Sequence, residues 1–252
     1  MTQTPAERFY EETHKQDQQE YVADNRYIFA RKTFLQLGVT RLLDIGCANG
    51  EFMTLCVESG IKCSGVEISQ LAVQRAKEHG LDVQQLDVDN SDLPFESESF
   101  EGVFCSEVIE HLFNPDHLLE ESWRVLKSGG FLIVTTPNLS AWFNRIFLLF
   151  GYQPVNTAVS TKYAAGQVLT DWVAAGHIRV FTHRALIDLL SKHYSFEVVK
   201  VKGLGLNAER LGHGVVFANV VRIMNFLFSR PSFSSGLFVV ARKVSAEGNR
   251  NG

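Results

Sequence analysis

Leu43-Asp44-Ile45-Gly46-Cys47-Ala48-Asn49-Gly50-Glu51-Phe52 is the stretch on which the reading of this chain turns. It joins a short apolar run ending in glycine, RLLDIG (41–46), to the segment GEFMTLCVESG (50–60). The first reads as a buried strand and the second as a helix closed by Gly60. Between them, Gly46 and Gly50 allow a sharp turn and a close backbone approach to a ligand. The helix beyond offers N–H groups that have no partner within the helix itself. The spacing is G-x-x-x-G, not the G-x-G-x-x-G of dinucleotide-binding turns.

Working outward, KCSGVEIS (62–69) reads as a second strand and QLAVQRAKEHG (70–80) as a second helix ending at Gly80. LDVQQLDVD (81–89) is a third strand, SDLPFESES (91–99) a loop and FEGVFCSEV (100–108) a fourth strand. PDHLLEESWRVLKSGG (115–130) opens on proline, runs helical and closes on a glycine pair, and FLIVTTP (131–137) is a fifth strand. Upstream, residues 6–37 read as helical. After Pro137 the rhythm breaks, with an aromatic helix candidate at 139–152. It resumes with THRALIDLLSKHY (182–194) as helix and FEVVKVKG (196–203) as strand. A second insertion, 204–235, precedes a last strand, GLFVVARKV (236–244). Strands alternating with helices argue for βαβ units and a doubly wound parallel sheet. Right-handed crossovers then bring the C-terminal ends of the strands to one edge, where ligands bind. Glu67 closes the second strand, where a carboxylate can accept both hydroxyls of an adenosine ribose.

Composition narrows the class. The chain has 252 residues, 45% of them apolar, and 28 acidic against 24 basic side chains. That is an ordinary globular balance and excludes a disordered tail or a disulfide-stapled miniprotein. Cys47, Cys56, Cys63 and Cys105 show no metal-type C-x-x-C spacing and suit a reduced, cytosolic compartment. The N-terminal MTQTPAERFYEETHK lacks the apolar core of a secretory signal, and no run is apolar for long enough to span a membrane. Charge is unevenly spread: residues 1–137 carry 23 acidic and 11 basic side chains, residues 138–252 carry 5 and 13. The two halves therefore either face different partners or neutralise each other across an internal interface.

With D-I-G-C-A-N-G, V-E-I-S, Asp87, LPFESESFEGVFCSEVIEHL (93–112) and RVLKSGGFLIVTTPN (124–138) in this order, the sequence resembles the class I S-adenosylmethionine-dependent methyltransferases. The resemblance covers roughly residues 41–137 and 182–203. It implies a Rossmann-like α/β fold, doubly wound, with a mostly parallel seven-stranded sheet and an antiparallel last strand, carrying an inserted cap. Residues 1–40 would form a helical lid, its Tyr10 and Tyr21 either folding over the donor or facing the core as in any packed helix, with residues 41–137 and 182–252 the donor-binding core and 138–181 an acceptor-binding insertion. S-adenosylmethionine would be the methyl donor. Asp44, Gly46 and Gly50 would shape the loop around its methionine part, Glu67 would hold the ribose and Ile68 would pack on the adenine. Asp87 and the Val88 N–H would read the adenine edge, with Asp89 a rival, and Ser106 and Glu107 would line the floor beneath the sulfonium. In one departure from the family loop, its middle glycine is Ala48 here.

Methyl transfer is an in-line displacement that needs positioning and, for a hydroxyl acceptor, a proton acceptor. Glu107, Glu110 and His111 in E-V-I-E-H are candidates, and His177 in GHIRVFT could join them. Similar Glu-x-x-Glu-His runs bind a divalent ion in small-RNA 2′-O-methyltransferases and in ubiquinone-pathway O-methyltransferases. That resemblance leaves open both a metal and an unmetallated reading with His111, Glu107 and His177 as catalytic groups. In the insertion, Trp142, Phe143 and Phe147 would wall the acceptor pocket, and Arg145, Lys162 and Arg179 would meet an anionic group. The expected acceptor is a small or carrier-linked hydroxyl compound such as a sugar. The alternatives are a quinone-pathway lipid phenol, in keeping with apolar runs that suit peripheral membrane contact, and a non-catalytic donor-binding scaffold. A pI near 6.1 argues against nucleic acid as partner. A monomer and a homodimer are both compatible with the sequence.

Overall fold

Helix α1 (Asn25–Gln36) leads into β1 (Arg41–Ile45), the first strand of the computed structural model, which describes residues 11, 25–157, 159–160, 163, 165–168, 176–206 and 214–244, with only the backbone of 214–218. The proposed lid tyrosines, Tyr10 and Tyr21, and the pocket residue Lys162 lie outside the described residues. β1 is buried from Leu42 to Ile45, because it pairs in parallel with β2 (Lys62–Glu67) on one side and β4 (Phe100–Ser106) on the other. A strand covered on both faces must be apolar throughout, as RLLDI nearly is. α2 (Glu51–Val57) and α3 (Gln70–Glu78) make the crossovers to β2 and β3 (Asp82–Gln85). Ser69 caps α3, its hydroxyl accepting the Ala72 N–H at 3.2 Å. α4 (Pro115–Val125) starts on Pro115, and Asn114 Oδ1 accepts the His117 N–H at 3.2 Å.

β5 (Leu126–Pro137) begins earlier than the sequence suggests. The pair Gly129-Gly130 does not cap a helix; it lies within the strand. Gly129 adopts φ 76°, and a Cβ on Gly130 would sit 2.9 Å from the Lys127 carbonyl oxygen and 3.1 Å from that of Glu101. Glycine is needed there for close approach of backbones. β3 is also shorter than expected, because the chain turns at Asp87, whose carboxylate accepts the Asp89 N–H at 3.1 Å and Asn90 Nδ2 at 2.9 Å.

Downstream come α5 (Trp142–Leu149), α6 (His183–Asp188) running into a π-turn at Leu189–His193, β6 (Phe196–Leu204), α7 (Gly214–Leu227) and β7 (Gly236–Lys243). α7 occupies the second insertion, where no helix was expected. The seven strands are ordered β3-β2-β1-β4-β5-β7-β6, with the last one antiparallel. This is the expected doubly wound sheet, and its order reverses between β1 and β4.

The chain forms two compact units. One comprises residues 1–106, 114–133 and 242–252; the other comprises 107–113 and 134–241. In the first, Phe52 and Phe104 pack with centroids 4.0 Å apart, Phe34 lies edge-on to Phe104, and Cys47, Met53, Val73, Ala76 and Val83 form a second apolar cluster. In the second, Ala141, Phe143 and Val155 form a small core to which Trp142, Phe147 and Leu206 add partial cover. Trp142 and Phe143 thus serve the internal packing of their own unit.

Candidate active site

The loop after β1 is built from left-handed backbone. Gly46, Ala48 and Gly50 have φ of 72°, 48° and 88°. At Gly50 a Cβ would have to push the end of the Leu81 side chain aside, and it would do so on a left-handed backbone that strains any L-residue. At Ala48 the methyl is accommodated, but in a conformation that costs an L-residue about 1–2 kcal/mol. Backbone bonds fix the turn: the N–H groups of Gly46 and Cys47 reach the Val66 carbonyl at 2.9 and 3.2 Å, and the Gly50 N–H reaches that of Cys47 at 2.9 Å. Asn49 Nδ2 donates to Glu51 at 3.2 Å, while its Oδ1 is buried with no hydrogen-bond partner. A buried acceptor of this kind calls for a donor from a ligand.

Glu67 is 5% exposed at the end of β2. Its Oε2 accepts the Ala48 N–H at 3.0 Å and its Oε1 the Ser69 N–H at 2.9 Å. Each carboxylate oxygen has room for two hydrogen bonds, so one acceptor position remains on each, matching a vicinal diol. Asp44 is buried nearby, and burial, followed by the charges of Glu51 and Glu67, pushes its carboxyl well above the usual range. Three carboxylates crowded at one strand edge favour a cationic ligand, as a sulfonium amino acid is. Burial pushes the Cys47 thiol up as well, with help from Asp44 and Glu67, leaving it a poor nucleophile.

The other donor-site candidates surround this edge less uniformly. Ile68 and Val88 are half-buried, as is Ser106 at the end of β4. Asp87 uses both carboxylate oxygens in its own turn, and Asp89 Oδ1 accepts the Asn114 N–H at 2.7 Å. A cleft of about 730 Å³ between α2 and α3 is lined by Asn49, Glu51, Arg75 and His79 among others, and includes neither Glu67 nor Asp87.

The second unit gathers the candidate catalytic side chains. Glu107 has φ 56°, and its N–H and its Oε1 both bond Thr135, the N–H to the carbonyl at 3.0 Å and the carboxylate from the hydroxyl at 3.0 Å. Ile109–His111 then form a single 3₁₀ turn, which carries Glu110, 1% exposed, with Oε2 accepting the Thr136 hydroxyl at 3.0 Å. The Glu110 carbonyl receives the N–H groups of Ile178 and Arg179, both at 2.9 Å, and this docking brings His177 to His111 with ring centroids 4.7 Å apart. His177 Nδ1 lies 3.1 Å from the Asn156 carbonyl and must donate to it, so Nε2 keeps its lone pair. Burial, and then the neighbouring His177, lowers the His111 pKa to about 4; burial lowers that of His177 too, against the opposing effects of Asn156 and Glu107.

Glu110, His111 and His177 each present a ligand atom, all within 4.8 Å of one another. One carboxylate and two neutral imidazoles form a donor set that fits a divalent transition metal. Glu107, a further possible ligand in E-V-I-E-H under the metal reading that the sequence leaves open, is not in this set. Its carboxylate is instead held by Thr135, because the backbone turns left-handed before the 3₁₀ turn. Thr135, Thr136 and Asn156, which orient Glu107, Glu110 and His177, carry no sequence signal that sets them apart. Arg179 donates to the Phe113 carbonyl at 2.8 Å, and Arg145 to the carbonyls of Ser140 and Ser232 at 2.8 and 3.0 Å.

Residues 43–134 match the family described as a methyltransferase domain. The chain is 26% identical over 163 residues to a ubiquinone biosynthesis O-methyltransferase of Coxiella burnetii, covering 61% of this chain and 67% of that protein. It is 32% identical over 110 residues to the 27-O-demethylrifamycin SV methyltransferase of Amycolatopsis mediterranei, covering 38% and 40%. A solved S-adenosylmethionine-dependent methyltransferase from Thermotoga maritima shares the fold, with a TM-score of 0.55, 23% identity, and coverage of 94% and 97%. Sheet order, donor loop and domain match together define an enzyme of the methyl-transferring α/β class. It is a class I S-adenosylmethionine-dependent methyltransferase, with S-adenosylmethionine as its cofactor.

Proposed function

We propose that this enzyme methylates a hydroxyl oxygen, and that the acceptor is a phenol-type compound on an apolar carrier. The observation that carries the reading is the His111–His177 pair, whose imidazoles are held neutral. Bound S-adenosylmethionine supplies a methyl group already activated on a sulfonium. Gly46, Ala48, Gly50 and Asn49 would cradle its methionine part and Glu67 its ribose, with Asp44 balancing the positive charge. Ile68, Asp87 and Val88 would take the adenine, and Ser106 the floor beneath the sulfonium. His177 Nε2, which keeps its lone pair, would take the proton of the acceptor hydroxyl and leave its oxygen free to receive the methyl group the donor supplies. The Asn156 carbonyl and the His111 ring keep that imidazole in place, with the Glu107 carboxylate acting on it through its charge.

A weakly basic imidazole serves an acidic hydroxyl better than an alkanol: a phenol ionises near pH 10, a sugar hydroxyl far higher. This favours the phenol over the sugar. The name of the Coxiella relative points the same way. A second reading has one specific observation behind it, the convergence of Glu110, His111 and His177. A divalent ion held there would lower the pKa of the hydroxyl directly and widen the acceptor range. A reduced, cytosolic setting belongs to the proposal, supported by the buried free thiols of Cys47, Cys56 and Cys105.

The test is a methyl-transfer screen against catechols, simple phenols and sugars, with and without chelator. Catechol or phenol turnover that survives chelation supports the imidazole reading, and turnover lost to chelator and restored by a divalent ion supports the metal. Transfer to sugars alone overturns the phenol.

A further inference from the structure

Helix α7 is apolar almost all round, GVVFANVVRIMNFL, yet of its described side chains from Asn219 onward only Val221 is buried. Phe226 is 80% exposed, and Ile223 and Leu227 are also open to solvent. α5, in the same unit, ends the same way, with Leu149 80% and Phe150 71% exposed. The two helices are joined where Trp142, at the start of α5, stacks on Phe228, just past α7, with centroids 5.4 Å apart and planes within 18°. α5 is only about 12 Å long at 1.5 Å per residue, so both apolar ends lie within a short distance of this joint. Exposed apolar area of this kind marks a contact surface.

The charge around it has one sign. Among the described residues 138–187 and 198–244 none is acidic, while Arg145, Arg222 and Arg230 are exposed on or beside these helices. Among the described residues, a second copy meeting this face through a two-fold axis would set arginine against arginine with no carboxylate opposite. An anionic surface with an apolar interior satisfies both features. Among the described residues no helix is long and apolar enough to cross a membrane, so the helices would lie in the interface.

We propose that the α5–α7 face docks on an anionic lipid bilayer, with Leu149, Phe150 and Phe226 inserted among the acyl chains and Arg222 and Arg230 at the phosphates. The inference is independent of the acceptor and is tested without donor or acceptor. The full chain is sedimented with vesicles of phosphatidylcholine alone and of phosphatidylcholine containing phosphatidylglycerol. Binding to the anionic vesicles only is expected, weakening with salt and by about fivefold for each of Arg222→Gln and Arg230→Gln. Phe226→Ser and Leu149→Ser, both at exposed positions, should weaken it further with unchanged melting temperatures. No sedimentation with anionic vesicles, equal binding to neutral ones, or binding untouched by all four variants overturns the proposal. A dimer by light scattering that the same variants dissociate overturns it equally, in favour of a second copy.

Discussion

The rings of His111 and His177 meet edge to face with centroids 4.7 Å apart, although 66 positions separate them in the chain. The contact exists because residues 178 and 179 bond the carbonyl of Glu110, the neighbour of His111. A pair of imidazoles kept this close and this dry stays neutral through the physiological range. Burial lowers the pKa of both rings, His177 included, so the acid limb of kcat/KM should fall below 6.5. An acid limb at 6.5 would show that neither ring is the proton acceptor.

The same shift has a consequence for stability. His111 titrates at 6.5 when unfolded and at about 4 when folded, so between those values the unfolded chain binds more protons. Stability is therefore full above about pH 6.5 and declines as pH falls toward 4. Melting temperatures followed from pH 7.5 to 4.5 should drop, and His111→Asn should flatten the drop. Equal slopes in the two proteins would place the titrating group elsewhere.

Glu101 acts in the same sense over a lower pH range. Its carboxylate accepts the Thr40 N–H at 2.8 Å and the Thr40 hydroxyl at 2.7 Å, with Lys127 at 3.0 Å, and these contacts hold its pKa down to about 2. Its contribution is present above the ordinary carboxylate range and is lost as pH falls through about 2. The group is a third exposed, so solvent screening keeps the effect small. Glu101→Gln should lower the melting temperature at pH 7 and make no difference at pH 2.

Much of the fold was legible because glycine, proline and strand-length apolar runs leave local marks. Gly46 and Gly50 in LDIGCANGEF announced the turn, and Pro115 the start of a helix. The misjudged pieces had causes that spacing does not carry. Gly129 and Gly130 answer to neighbouring carbonyls, one of them on Glu101, remote in sequence. Glu107 stands apart from Glu110 and His111 through a left-handed backbone that no side-chain pattern announces. α7 escaped notice because its apolar residues run round the whole helix and leave no polar face to give a period. Residue type and its place beside Gly176 at the end of the insertion make His177 a candidate companion of His111; the Glu110 carbonyl that brings it there is a tertiary contact.

Ala48 offers a test of the donor loop. Its φ of 48° costs about 1–2 kcal/mol, against about 0.5–1 kcal/mol for the added chain freedom of glycine. Ala48→Gly should stabilise the protein by up to ~1 kcal/mol in urea unfolding, with donor binding intact. Gly50→Ala should weaken donor binding, since its φ of 88° strains an L-residue and the methyl would displace the Leu81 side chain. A well-folded Gly50→Ala protein with normal donor affinity would contradict the loop assignment.

The central claim is that Glu67 holds the ribose of S-adenosylmethionine through the acceptor positions left beside the Ala48 and Ser69 N–H groups. Calorimetric titration of the native chain and of Glu67→Ala with S-adenosylmethionine measures this directly. The account predicts one molecule bound per chain and a loss of roughly 1.5–3 kcal/mol, tenfold or more in affinity, in the variant. Unchanged affinity in Glu67→Ala, or no binding to the native chain, would contradict it.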